Sequence, residues 1–430
     1  MSKVSFIYNR EPDKNKLLIL ILGGLFLFIF GAVSTDLLLT FLYSPRAFHR
    51  NNAINVLAAS VESTTTIVSE STPTAATTEP TITPTPTPIP TPDITPTPQL
   101  DTTNQVFYGR GTPNNKIGMY LRDVIDDVKP ASTLINSNGG DWGYILLTMN
   151  INDRNTSLWQ GLFQAASNNH LIPIIQLFNA SVCDPNKMDF AGLADLLNGL
   201  KWPSKHRYIS IFNEVNAKDY WCDRIAPNEY AQALDNAIKA FKAKSSNFFI
   251  MPAAFNSSAR TQDRYLSEDA YLIRMNQTIP GIFDRIDGWA THAYPQPNFS
   301  GDIHNLPASY GVRDSITNYN WEVNIVKNNF GVTGLPIFIT ETGWLHREGQ
   351  SSCNEYSQNG LLSAATTSSR FKDAFLNYWL NDPRIVAIAP FIFKSDDPCQ
   401  EGFAWQKSSG DWYPQASMLM DIPKTKGSSN

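Results

Sequence analysis

From about residue 117 onward, short apolar and β-branched runs alternate with longer stretches whose apolar residues recur at helical spacing. This is the pattern of successive βα units around a parallel sheet. Eight runs read as strands: 117–121, 144–149, 172–178, 208–213, 248–253, 288–291, 337–340 and 386–393, with helical stretches such as 229–244 and 361–380 between them. Eight repeats of strand then helix predict an α/β fold, a closed (β/α)8 barrel spanning 105–425. An open doubly wound sheet is the alternative, but no Gly-x-Gly-x-x-Gly or Walker-type turn follows the first strand.

The first hundred residues carry a different pattern. An unbroken apolar run fills 17–33, and after Ser34, Thr35 and Asp36 the apolar character resumes to Tyr43, enough for a tilted helix to cross a bilayer. Lys3, Arg10, Lys14 and Lys16 precede this run and only Arg46 and Arg50 follow it closely. The positive-inside rule then places 1–16 in the cytoplasm and everything after 43 outside the cell. A cleaved signal peptide is the competing reading, weakened by the length of the apolar run. Residues 44–104 form a Ser/Thr/Pro-rich linker, with Thr-Pro alternation from Thr83 to Pro88 and too little apolar surface to fold. In polyproline II geometry its Pro-dense end would hold the following domain about 60 Å from the membrane.

Composition narrows the partners. The net charge of −5 is modest and Lys and Arg are scattered, so nucleic acid is not an expected partner. All 4 cysteines fall in the segment assigned outside the membrane, where thiols oxidise to disulfides. They allow three connectivities, and their placement in consecutive loops on one barrel face favours Cys183–Cys222 and Cys353–Cys399. No Cys-x-x-Cys or His-Glu-x-x-His spacing suggests a metal, so no cofactor is expected, and His304 and His346 read as solvated loop residues. Asn155, Asn179, Asn256, Asn276 and Asn298 head Asn-x-Ser/Thr sequons.

Reacting groups in a β/α-barrel stand at the carboxyl ends of strands. The fourth strand runs into Asn213-Glu214, the sixth into His292-Ala293-Tyr294, and the seventh into Glu341-Thr342-Gly343-Trp344. In this order the chain resembles the clan A retaining glycoside hydrolases, the superfamily of many cellulases, mannanases and xylosidases. The resemblance implies Glu214 as general acid/base, Glu341 as nucleophile, Asn213 as partner of the sugar 2-hydroxyl, Tyr294 as a support for the nucleophile and His292 in a supporting role. It also implies a β-linked substrate. The chemistry needs such a pair, because an oxocarbenium-like transition state calls for one proton donor and one anionic partner. An ionised Glu341 is expected to raise the pKa of Glu214.

Three departures from the clan pattern stand out: Thr148-Met149-Asn150 where many members have Arg, Gln176-Leu177-Phe178-Asn179 where many have His, and Phe391-Ile392-Phe393-Lys394-Ser395-Asp396 where a Trp is usual. Phe393 is assigned the platform beneath the sugar. Lys394 and Asp396 read either as hydroxyl contacts or as a rim ion pair. Trp344, close behind Glu341, is the favoured stacking surface among Trp142, Trp221, Trp344 and Trp405. The expected function is a membrane-anchored extracellular glycosidase that hydrolyses O-glycosidic bonds of oligo- or polysaccharides with retention. The alternatives are a catalytically inactive surface carbohydrate-binding or adhesion protein, and a transglycosylase that remodels a glucan.

Overall fold

The computed structural model describes residues 114–178, 182–349 and 361–429. The apolar run at 17–43, the linker at 44–104 and Cys353 lie outside the described residues, and with them the expected anchor, stalk and Cys353–Cys399 bridge. Among the described residues no helix is long and apolar enough to cross a membrane.

Among the described residues eight strands alternate with eight α-helices. They run β1 (Gly118–Tyr120), α1 (Ile125–Ile135), β2 (Gly143–Asn150), α2 (Thr156–Asn168), β3 (Leu171–Phe178), α3 (Phe190–Gly199), β4 (Arg207–Asn213) and α4 (Pro227–Lys244). The second half continues with β5 (Phe248–Ala254), α5 (Glu268–Thr278), β6 (Trp289–His292), α6 (Tyr319–Phe330), β7 (Ile337–Glu341), α7 (Ala364–Asp373), β8 (Ile385–Ile388) and α8 (Pro414–Asp421). All strand pairs are parallel, in two arcs, β1 to β5 and β6 to β8.

Two seams close the arcs into a barrel. Between β5 and β6 a side chain continues the ladder: Asp287 Oδ2 accepts from the Ile250 amide at 2.7 Å while the Asp287 amide donates to the Ile250 carbonyl at 2.8 Å. Between β8 and β1, Ile117 bridges Ile388 in parallel and the Ile388 amide donates to the Lys116 carbonyl at 2.9 Å. Only glycine fits at 118 in this seam, since a Cβ there would stand 2.9 Å from the Ile388 carbonyl oxygen.

The strands are apolar on both faces because both are covered, which is why they read as continuous runs. Ile145, Ile175, Ile209, Ile250 and Ile339 face outward into the helix layer. Leu146, Ile174, Tyr208, Met251 and Phe338 fill the barrel interior. Three helices begin on side-chain caps: Asn155, Asp189 and Ser363 each accept from a backbone amide in the first turn.

Strand eight is shorter than the apolar pattern suggested, ending at Ile388 rather than 393. Pro390 has no amide to extend a ladder, and the chain beyond it bonds instead to the end of β1, with the Phe393 amide on the Tyr120 carbonyl at 2.8 Å. The helix expected over 361–380 starts at Ala364 and passes at Asp373 into a π-helical turn, Ala374–Trp379.

Candidate active site

The carboxyl ends of β3, β4, β6 and β7 bring a polar group to the mouth of an otherwise apolar barrel. Two breaks in strand alternation aim it. On β4, Ile211 and Phe212 both pack in the outer layer, and Phe212 takes a φ of 73°, sterically unfavourable for an aromatic residue. The next two residues then reach inward, and Glu214 itself has a φ of 38°. On β7, Ile339 pairs with Thr291 but Glu341 pairs with His292, so Thr340 is an extra residue in the ladder. Plain alternation from outward Ile337 and Ile339 would turn Glu341 toward the helices. The bulge turns it inward instead.

His292 is the centre of the group. Its Nδ1 lies 2.9 Å from Glu214 Oε1 and its Nε2 lies 3.6 Å from Glu341 Oε1, beyond hydrogen-bonding range. The Tyr294 hydroxyl donates to the other oxygen of Glu341, Oε2, at 3.0 Å. Glu341 is completely buried, and Oε1 has no hydrogen-bond partner. Beside these, Gln176 on β3 donates through Nε2 to Asn213 Oδ1 at 2.9 Å.

Burial pushes the Glu341 carboxyl up to about 7; the Glu214 charge pushes the same way, and these outweigh the downward pull of His292 and the Tyr294 hydroxyl. Burial pulls His292 down, but the charges of Glu341 and Glu214 win and raise it. The marked upward push thus falls on the carboxyl at the end of β7. The physical cause is the depth of Glu341 and its single hydrogen bond.

Five of the seven residues singled out from sequence therefore meet: Asn213, Glu214, His292, Tyr294 and Glu341. Trp344 does not join them. It lies among the outer-layer residues, edge-on to Phe371 at 4.8 Å, with its indole nitrogen donating to the Gly301 carbonyl. Phe393 also packs outward, against Trp412, and is fully buried. The aromatic from this segment on the inner side is Phe391, edge-on to Tyr120 at 5.0 Å and in the same cluster as Tyr294.

The other tryptophans pack or lie elsewhere. Trp221 bonds Glu229 and packs on Phe212, and Trp405 packs on Phe371. Trp142 precedes β2, at the opposite end of the barrel, and stacks on His170 at 4.5 Å. Asp396 pairs with Arg122 at 2.5 Å rather than with Lys394. His304 is exposed beside Asp373, but His346 is buried against Tyr413, contrary to the solvated reading, and burial pulls it down to about 4. Cys183 and Cys222 form the expected disulfide, joining the loops after β3 and β4. Among the described residues no three His, Cys, Asp or Glu side chains gather as for a metal ion.

Gln176 and Phe391 are site residues that sequence reasoning missed. Gln176 was legible by parity, two residues beyond inward Ile174. Phe391 was not, because 391 and 393 share a parity.

The family model described as cellulase (glycosyl hydrolase family 5) matches residues 190–382, a stretch that holds both glutamates. No curated protein matches the chain. Among solved structures it is similar to Thermotoga maritima Cel5A in complex with cellobiose, at 12% identity and a TM-score of 0.42, covering 71% of this chain and 97% of that one. An endoxylanase of family GH10 from a sugarcane soil metagenome is similar at 11% identity and 0.43, covering 72% and 97%. The β-glucosidase of Trichoderma harzianum is similar at 10% identity and 0.42, covering 68% and 84%. Carrying the cellulase match on an eight-stranded β/α-barrel, the carboxy-terminal domain is similar to the retaining glycoside hydrolases of clan A.

Proposed function

We propose that this protein is a membrane-anchored glycosidase that hydrolyses β-linked oligo- or polysaccharides outside the cell, with Glu341 as nucleophile and Glu214 as general acid/base. The observation that carries this reading is the division of labour on Glu341: Tyr294 holds Oε2 while the buried Oε1 has no hydrogen-bond partner and faces the same imidazole as Glu214. An oxygen without a hydrogen bond keeps its lone pairs for attack. In the first step Oε1 bonds to the anomeric carbon as the leaving oxygen departs with a proton from Glu214. In the second, Glu214 takes a proton from water, whose oxygen bonds to the same carbon and releases Glu341. The configuration is retained.

Asn213 takes the 2-hydroxyl in this reading, and Phe391 replaces Phe393 and Trp344 as the aromatic surface nearest the sugar. The placement outside the cell rests on the apolar run at 17–43 with its preceding cations, and a disulfide between surface loops is in keeping with an oxidising compartment.

The test is chromophore release from aryl β-glycosides by the wild type, Glu341→Ala and Glu214→Ala. Glu341→Ala is expected to be inactive, and Glu214→Ala to turn over an activated substrate faster with azide, yielding a β-glycosyl azide. An α-configured azide product, or undiminished activity in Glu341→Ala, would overturn the assignment.

A further inference from the structure

Gln176 is a polar side chain at the barrel mouth that the proposed chemistry leaves unused, and it carries an unmet demand. It is 1% exposed and lies on β3, in register with Thr148 on β2 and Ser210 on β4. Strand parity directs it inward above Ile174. Its Nε2 is committed to Asn213 Oδ1 at 2.9 Å, and its Oε1 has no hydrogen-bond partner. An amide oxygen buried without a donor costs about 1–3 kcal/mol, so such an atom at a binding mouth calls for a ligand hydroxyl. The bond to Asn213 has a second consequence. It makes Oδ1 the accepting end of the Asn213 amide and so fixes Nδ2 as the donating end.

We infer that Gln176 is a sugar-recognition residue whose Oε1 accepts from the 3-hydroxyl of the sugar undergoing attack, while its Nε2 sets the Asn213 amide to address the 2-hydroxyl. The inference rests on the proposed glycosidase reading. The choice of hydroxyl follows from adjacency: β3 is next to β4, the two amides are bonded to each other, and the only ring carbon beside C2 that bears a free hydroxyl is C3. The pair of amides thus reads two neighbouring hydroxyls, and recognition does not need the Arg and His that this chain lacks at β2 and β3.

The experiment compares Gln176→Leu with wild type on a 2,4-dinitrophenyl β-glucoside or β-mannoside, whichever turns over faster, and on its 3-deoxy form. Gln176→Leu is expected to lower kcat/KM by about tenfold more on the hydroxylated substrate than on the 3-deoxy one, one hydrogen bond's worth. Equal losses on the two substrates would overturn the inference alone. A wild type inert on both sugars would overturn the glycosidase reading and this inference with it. Should Gln176→Leu not fold, Gln176→Glu supplies the same answer. It keeps an acceptor at Oε1, so wild-type discrimination against the 3-deoxy substrate is expected to persist while discrimination against a 2-deoxy substrate falls. Loss of the 3-deoxy discrimination in that variant would count against the assignment.

Discussion

At the scale of single residues, the site is governed by what His292 does for Glu341. A buried carboxyl is driven toward its neutral form, and the imidazolium beside it is the main force that holds the other way. In the proposed mechanism attack requires the ionised form, so the acid limb of kcat/KM for the free enzyme is expected near pH 7. Replacing His292 with Gln removes that positive charge and leaves burial and the Glu214 charge unopposed except by Tyr294. The acid limb should then move to higher pH, with activity at pH 6 falling about tenfold for each unit the limb moves. A pH–rate profile of His292→Gln whose limb stays put, or moves down, would show that the imidazole does not tune this carboxyl. Tyr294→Phe is expected to shift the limb in the same direction, because the phenol bonds Glu341 Oε2 and favours its charge.

At the scale of elements, loops after consecutive strands are stitched to one another around Glu214. The Cys183–Cys222 bridge ties the loop after β3 to the loop after β4, and Asp219 on the latter pairs with Arg264 on the loop after β5 at 2.7 Å. The bridge closes a sequence separation of 39 residues, for which chain entropy predicts about 3–4 kcal/mol. The double variant Cys183→Ser with Cys222→Ser should lose about that much in urea unfolding, and a loss under about 1 kcal/mol would mean the loops are held without it. What was legible at this scale depends on how elements are built. Strands buried on both faces are continuous apolar runs, so seven of them could be read to within about a residue. The eighth overran because Phe391, Ile392 and Phe393 look like strand but bond elsewhere. Catalytic candidates at strand ends were legible because a polar residue after an apolar run is conspicuous. The turning of Glu341 by an extra Thr340, and of Asn213 by Phe212, was not, since both are departures from alternation made by tertiary contacts. Trp344 misled for a related reason: closeness in sequence to Glu341 says nothing of which side of the barrel wall the indole takes.

At the scale of the whole molecule, the interior is stocked with acids that prefer to be neutral. Burial pushes Asp123 up to about 8, Glu322 and Glu341 to about 7, and Glu268 well above its ordinary range. Each binds a proton in the folded chain that it has lost in the unfolded chain, so each makes stability fall as pH rises between about 4 and its folded value. His346, held down at about 4, and His206, also held down, work the other way below about 6.5, but four carboxyls outweigh two imidazoles. The domain should therefore unfold at a lower temperature at pH 8 than at pH 5. In the proposed mechanism Glu341 makes this a compromise, because the ionised form that would attack substrate is the form that burial disfavours. Glu341→Gln, a neutral replacement of the same shape, is expected to be more stable than wild type by about 3 kcal/mol at pH 8 and only about 1 kcal/mol at pH 5, from a folded value near 7 against an unfolded one near 4.5. Denaturant titrations of the two proteins at both pH values measure that gap. A gap that stays constant with pH would mean the carboxyl is not held neutral in the fold, and with it would go the reason for expecting catalysis to switch on near neutrality.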